Sequence, residues 1–90
     1  MNNYRRKMID RVQTDIQTIL GMLENVQSDI EEIKEDEEMC YDNLPESIQE
    51  SWRGECMQEA IEHFEDAVDN IAECIESLEN CDGDLEEAKE

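Results

Sequence analysis

The sequence is short of everything that interrupts or diversifies a helix. Its 90 residues hold one proline, Pro45, and three glycines. The four aromatics are Tyr4, Tyr41, Trp52 and Phe64, too few for a large aromatic core. One histidine, His63, leaves little for a metal site or a histidine-dependent catalyst. No apolar run approaches the ~20 residues of a membrane span. None follows the basic opening Met1-Asn2-Asn3-Tyr4-Arg5-Arg6-Lys7 as a secretory signal would require. The expectation is therefore a cytoplasmic protein away from membranes. Its four cysteines, Cys40, Cys56, Cys74 and Cys81, are then expected as reduced thiols.

Positive charge is the other scarcity. Seven Lys and Arg face 27 Asp and Glu, a net charge of -20. The excess lies almost wholly in residues 35–90, which hold two cations and 21 anions. Such a surface repels phosphates, which argues against nucleic acid or an anionic bilayer as a direct ligand.

What the sequence does have is periodicity. Ile9, Val12, Ile16, Ile19, Leu23, Val26, Ile30 and Ile33 recur at spacings of three and four. Met57, Ala60, Phe64, Ala67, Ile71, Cys74, Leu78 and Cys81 do the same, with Leu85 and Ala88 able to extend the run. Each is a heptad seam, so the chain reads as all-α, with disorder excluded by the regularity. The single domain divides into a helix over about 4–37, a turn over about 38–50, a helix over about 51–82 and an acidic tail at 83–90, with Gly83 as the stop. Ser47 with Glu50 has capping-box spacing, and Ser51 is a second candidate cap.

A linker this short returns the chain antiparallel, predicting a coiled-coil-like two-helix hairpin. Arg5, Arg6, Lys7 and Arg11 would then face the acidic end of the second helix, Glu79 to Glu90. Ile61, Val68 and Ile75 form a second apolar stripe, while Met8, Leu20 and Met22 flank the first seam. A lone hairpin leaves such residues wet. The stripe of Ile61, Val68 and Ile75 is therefore the expected interface of a homodimeric four-helix bundle.

The run Tyr41-Asp42-Asn43-Leu44-Pro45-Glu46-Ser47-Ile48-Gln49-Glu50-Ser51, followed by Gly54-Glu55 and an acidic heptad helix, resembles a group of small acidic helical-hairpin proteins of bacteria and their phages or mobile elements. The resemblance implies a helical hairpin and a mobile-element origin. That group carries no established activity that could be transferred to any residue.

Candidate chemistry is sparse. Cys56 and His63 lie seven residues apart, about 10.5 Å along a helix, too far to share one zinc. Cys74 and Cys81 have the same separation, and no C-x-x-C pair exists. Asn80-Cys81-Asp82-Gly83-Asp84 alternates oxygen ligands, but its glycine is misplaced for a calcium loop. No nucleophile pairs with His63, so neither enzyme activity nor a cofactor or metal is expected. Trp52 has two readings: with Tyr41, Leu44 and Ile48 it closes the end of the bundle, or it stands out as a binding anchor.

The acidic stripe weighs more. Glu55, Glu59, Glu62, Asp66, Asp69, Glu73 and Glu76 alternate by four and three, opposite the second seam. Solvated helix faces commonly mix Glu with Lys, whereas like-charge neighbours cost about 0.2–0.5 kcal/mol each. Together with Trp52, this stripe is the expected partner-binding surface. The partner it suggests is a basic protein that normally holds nucleic acid, such as a nuclease. The protein would then be an inhibitor or adaptor that mimics nucleic-acid charge, suited to phage counter-defence. The competing expectation is a structural or oligomerisation coiled coil with no ligand beyond itself.

Overall fold

The computed structural model describes residues 1–89. They form three helices and no strand: α1 (Asn3–Asp42), α2 (Glu46–Gln49) and α3 (Trp52–Ala88). The all-helical expectation holds.

Each boundary has a local cause. At the start of α1 the Asn2 side chain accepts the Arg5 N–H at 2.9 Å, the usual N-cap bond. At its end the Asn43 N–H returns to the Met39 carbonyl, and Pro45 has no N–H with which to continue. The carbonyl of Pro45 accepts the N–H groups of Ile48 and Gln49, which starts the single turn of α2. The expected capping box does not form, because the N-cap of α2 is Pro45 rather than Ser47. Ser51 is the N-cap residue of α3, but its hydroxyl donates back to the Ile48 carbonyl instead of capping α3.

Both long helices outrun their predicted ends. Five more residues extend α1, to Asp42, since nothing before Asn43 disfavours helix. Gly83 does not stop α3, nor is 83–90 a tail as far as it is described. Gly83 has no positive φ, Leu85 is half-buried one turn on, and Lys89 is tied to Asp10 at 2.7 Å and Glu86 at 3.1 Å. A helical glycine costs only roughly 1 kcal/mol, and α3 continues past it.

Helices α1 and α3 lie side by side and run in opposite directions. Lys89 meets Asp10, Gln13 donates to the Asp82 carbonyl, Lys34 meets Glu65 and Gln58 donates to the Tyr41 hydroxyl. Numbers rise in one helix as they fall in the other. The whole measures 69 × 15 × 12 Å.

The packed row of α1 is not the apolar seam alone. Ile9, Ile16, Leu23 and Ile30 face α3 as the spacing predicts. The alternate positions are Gln13, Leu20, Gln27 and Lys34, one residue beyond Val12, Ile19, Val26 and Ile33. These last four stay 44–53% exposed, while Ile16 and Leu20 are the buried hydrophobic side chains. In α3 the same step selects Ile61, Val68, Ile75 and Asp82, leaving Cys74 and Cys81 exposed. Ile61, Val68 and Ile75 are thus half-buried in the row that meets α1 within one chain. The free apolar stripe belongs to α1 instead.

The expected meeting of charged ends takes a different form. Among the described residues none of Arg5, Arg6, Lys7 or Arg11 forms an ion pair. Lys89 and Gln13 join the two helices there.

A candidate acidic interface

All seven stripe residues, Glu55, Glu59, Glu62, Asp66, Asp69, Glu73 and Glu76, are exposed on the side of α3 turned away from α1. None takes part in an ion pair among the described residues. They run about 32 Å along the helix. The stripe holds because α3 is one unbroken helix from Trp52 to Ala88, with seam residues on one side and carboxylates on the other.

The charge continues round one flank of the helix pair. A shallow groove there is lined by Gln17, Leu20, Gly21, Glu24, Glu79, Asp82 and Gly83. Farther along, Glu31, Lys34, Glu35, Glu65, Val68 and Asp69 line a second one. Lys34 is the cation placed in that acidic flank, bridging Glu38 at 3.5 Å and Glu65 at 3.7 Å. Burial works to lower its pKa, but the two carboxylates outweigh it and hold the ammonium above its ordinary value. At the other end the Glu86 carboxyl is held below its ordinary value, first by the Gln13 amide and then by Lys89. Lys89 is raised by its hydrogen bonds to Asp10 and Glu86.

The opposite flank is apolar. Leu23, Cys74 and Leu78 line a groove there with Asn70, Glu73 and Ser77 at its rim, and beside Ile33 a second groove is bordered by Asp29, Glu32 and Asp36. In an antiparallel pair of right-handed helices, positions displaced the same way round from the seam share one flank. Val12, Ile19, Val26 and Ile33 of α1 therefore lie on the side that carries Ala67, Cys74 and Cys81 of α3.

Trp52 does not close the end of the bundle. It is 79% exposed at the first turn of α3. The end is closed instead by half-buried Tyr41, Leu44 and Gln49 around Gly54, with the Gln49 amide donating to the Tyr41 carbonyl at 2.9 Å. Gly54 is buried, and a Cβ there would land inside the backbone carbonyl of Gln49. Its role escapes a sequence reading based on heptads. The available signal was a glycine two residues into a helix that follows a one-turn helix.

No three ligand-type side chains converge among the described residues. Asn80, Asp82 and Asp84 belong to continuous helix, which turns Asp82 away from the other two. Cys40, Cys74 and Cys81 are free and exposed, and Cys56 is free and half-buried. No described helix is long and apolar enough to cross a membrane. No protein-family model, curated protein or solved structure matches the chain.

Proposed function

We propose that this chain acts without catalysis, as an antiparallel helical hairpin whose acidic outer face binds a basic protein surface and keeps nucleic acid off it. The supporting observation is the stripe of seven exposed carboxylates with no cation set against any of them among the described residues. Structural helices gain from i,i+4 pairs of opposite sign, and this face forgoes them along its whole length. A surface of one sign speeds encounter with an oppositely charged groove and makes the complex sensitive to salt. Trp52, exposed at the head of the stripe, supplies an aromatic anchor at one end. The phage or mobile-element origin implied by the turn would suit an inhibitor of a defence nuclease.

The test compares two variants of equal charge. One carries Glu59→Gln, Glu62→Gln, Asp66→Asn and Asp69→Asn. The control carries Glu24→Gln, Glu32→Gln, Glu46→Gln and Glu50→Gln. Binding to a basic, non-specific nuclease and protection of duplex DNA are measured for both. The stripe variant loses both by about tenfold or more, the equivalent of ~1.4 kcal/mol. The control keeps them. Equal behaviour in the two variants reduces the stripe to a solvated face.

A second reading has its own observation. The bulky stripe of Val12, Ile19, Val26 and Ile33 lies open along α1, and exposed apolar strips of this length mark association surfaces. On that reading the hairpin is an oligomerisation module that pairs into a four-helix bundle. The two readings are compatible over most of the stripe, which faces away from the flank of α1, while Glu73 borders both surfaces.

A further inference from the structure

We infer that the free apolar flank is covered by a second copy of this chain, related by a two-fold axis parallel to the helices, so that α1 of each copy lies over α3 of the other. The inference rests on the self-association reading and gives it a face and a register.

The face comes from the rotated packing. A two-helix protein free to choose would bury Val12, Ile19, Val26 and Ile33 and leave Gln13, Gln27 and Lys34 wet. Here α1 turns its mixed row inward and keeps the purely apolar one outside. A helix that packs one row inward and carries a second, purely apolar row outside has two neighbours to satisfy, as in a four-helix bundle. Within one chain α3 is the only long neighbour that α1 has among the described residues.

The occupant comes from residue size. By the register that joins Lys34 to Glu65 and Lys89 to Asp10, Ile19 stands level with Cys81, Val26 with Cys74 and Ile33 with Ala67. At each level α1 offers a large side chain and α3 a small one. A two-fold axis along the helices preserves level, so each large residue meets the partner copy's small one. Every layer then holds two large and two small side chains, the arrangement that fills space without strain. An axis across the helices would stack α1 on α1 and α3 on α3, crowding one pair and leaving voids in the other. The flank therefore carries both halves of its own complement, which a surface shaped for a foreign helix would not need. The stretch of flank from Val12 to Ile33 runs about 32 Å, and across two helices about 20 Å wide it offers on the order of 600 Å² per copy, within the range of a stable interface.

Two measurements test this on the full chain. Sedimentation equilibrium at micromolar concentration should give two copies, tighter in high salt because screening relieves the repulsion of like-charged chains. Val26→Cys, made in a chain with Cys40, Cys56 and Cys81 replaced by alanine, should then form a covalent dimer through Cys74 on mild oxidation. Adding Cys74→Ala should abolish it. A second readout needs no core substitution: in the unaltered chain, alkylation of Cys74 and Cys81 should slow by about fivefold relative to Cys40 at a chain concentration ten times the dimer dissociation constant. A dimer by sedimentation in which the Val26→Cys thiol does not link to Cys74, and in which Cys74 and Cys81 gain no protection, overturns the face and register proposed here. A monomer throughout overturns self-association itself.

Discussion

Helices α1 and α3 are of nearly equal length and lie against each other, yet they differ in what they bury fully and in what they leave outside. The first buries Ile16 and Leu20; the second buries only Gly54. Both supply bulk to the packed face, where Ile61, Phe64, Val68, Ile71, Ile75 and Leu78 of α3 are half-buried, and the contrast lies outside it. On α3 the residues at the flank are small and the outer residues are acidic. On α1 the flank is Val and Ile, and cations gather in its first turns. Near-identical heptad spacing thus serves two different purposes, which depend on residue size and sign more than on period.

The contrast is most easily broken at the buried leucine. Leu20→Ala should destabilise the fold by about 2–4 kcal/mol, read as a lower urea midpoint with an unchanged slope. Ile19→Ala, one residue away on the open flank, should cost far less at concentrations where the chain is monomeric. If the two cost the same there, the packed row has been misplaced by one step. Next comes the glycine of α3. Gly54→Ala should cost about 1–3 kcal/mol, because backbone rather than a flexible side chain must give way. Gly21→Ala and Gly83→Ala should do the reverse, each adding about 0.5–1 kcal/mol, since both positions are helical and open on to space. The same substitution at three glycines should therefore give two gains and one loss in thermal denaturation.

The smallest effect is acid sensitivity at the end where α1 begins and α3 finishes. The carboxyl of Glu86 is held below its ordinary value by Gln13 and then Lys89. Its protonation is then easier in the unfolded chain than in the folded one. The contribution is complete above the ordinary carboxylate range and fades as pH falls through the lowered value. Gln13→Ala should flatten that part of the pH–stability curve, read as urea midpoints across the acid range. For Lys34 and Lys89 the sign is opposite: both are raised, so their contribution is complete below the ordinary lysine range and fades as pH rises through the raised values.

Much of this was legible from residues alone, for reasons that also explain the gaps. Ile9, Ile16, Leu23 and Ile30 are core positions in any reading of the seam, and they face α3. Their alternates were misread, because the apolar pattern selects Val12, Ile19, Val26 and Ile33 over the mixed row Gln13, Leu20, Gln27 and Lys34 that packs. Polarity pointed the wrong way: Gln13 and Lys34 look like surface residues, yet each has a partner across the seam, Asp82 and Glu65. Gly83 looked like a stop because its cost is visible in sequence, whereas the tether from Lys89 to Asp10 is not. Trp52 was read by hydrophobicity, but its place at the first turn of α3 points it outward while Gly54, two residues on, takes the buried position. The acidic stripe needed only the helical period, and its seven residues lie exposed on one side of α3.

The slenderness of the molecule affects how its assembly must be read. Its radius of gyration is 20.2 Å, whereas a compact domain of this length has one near 12 Å and would need about 340 residues to match it. A column calibrated with spherical standards will therefore overstate the mass of a single copy. In X-ray scattering, flank-to-flank association at a helix spacing of about 10 Å lifts the radius of gyration by under ~1 Å, while the intensity at zero angle doubles. The cross-section thickens and the length stays. Copies joined end to end would do the opposite, so one scattering curve separates a thicker rod from a longer one.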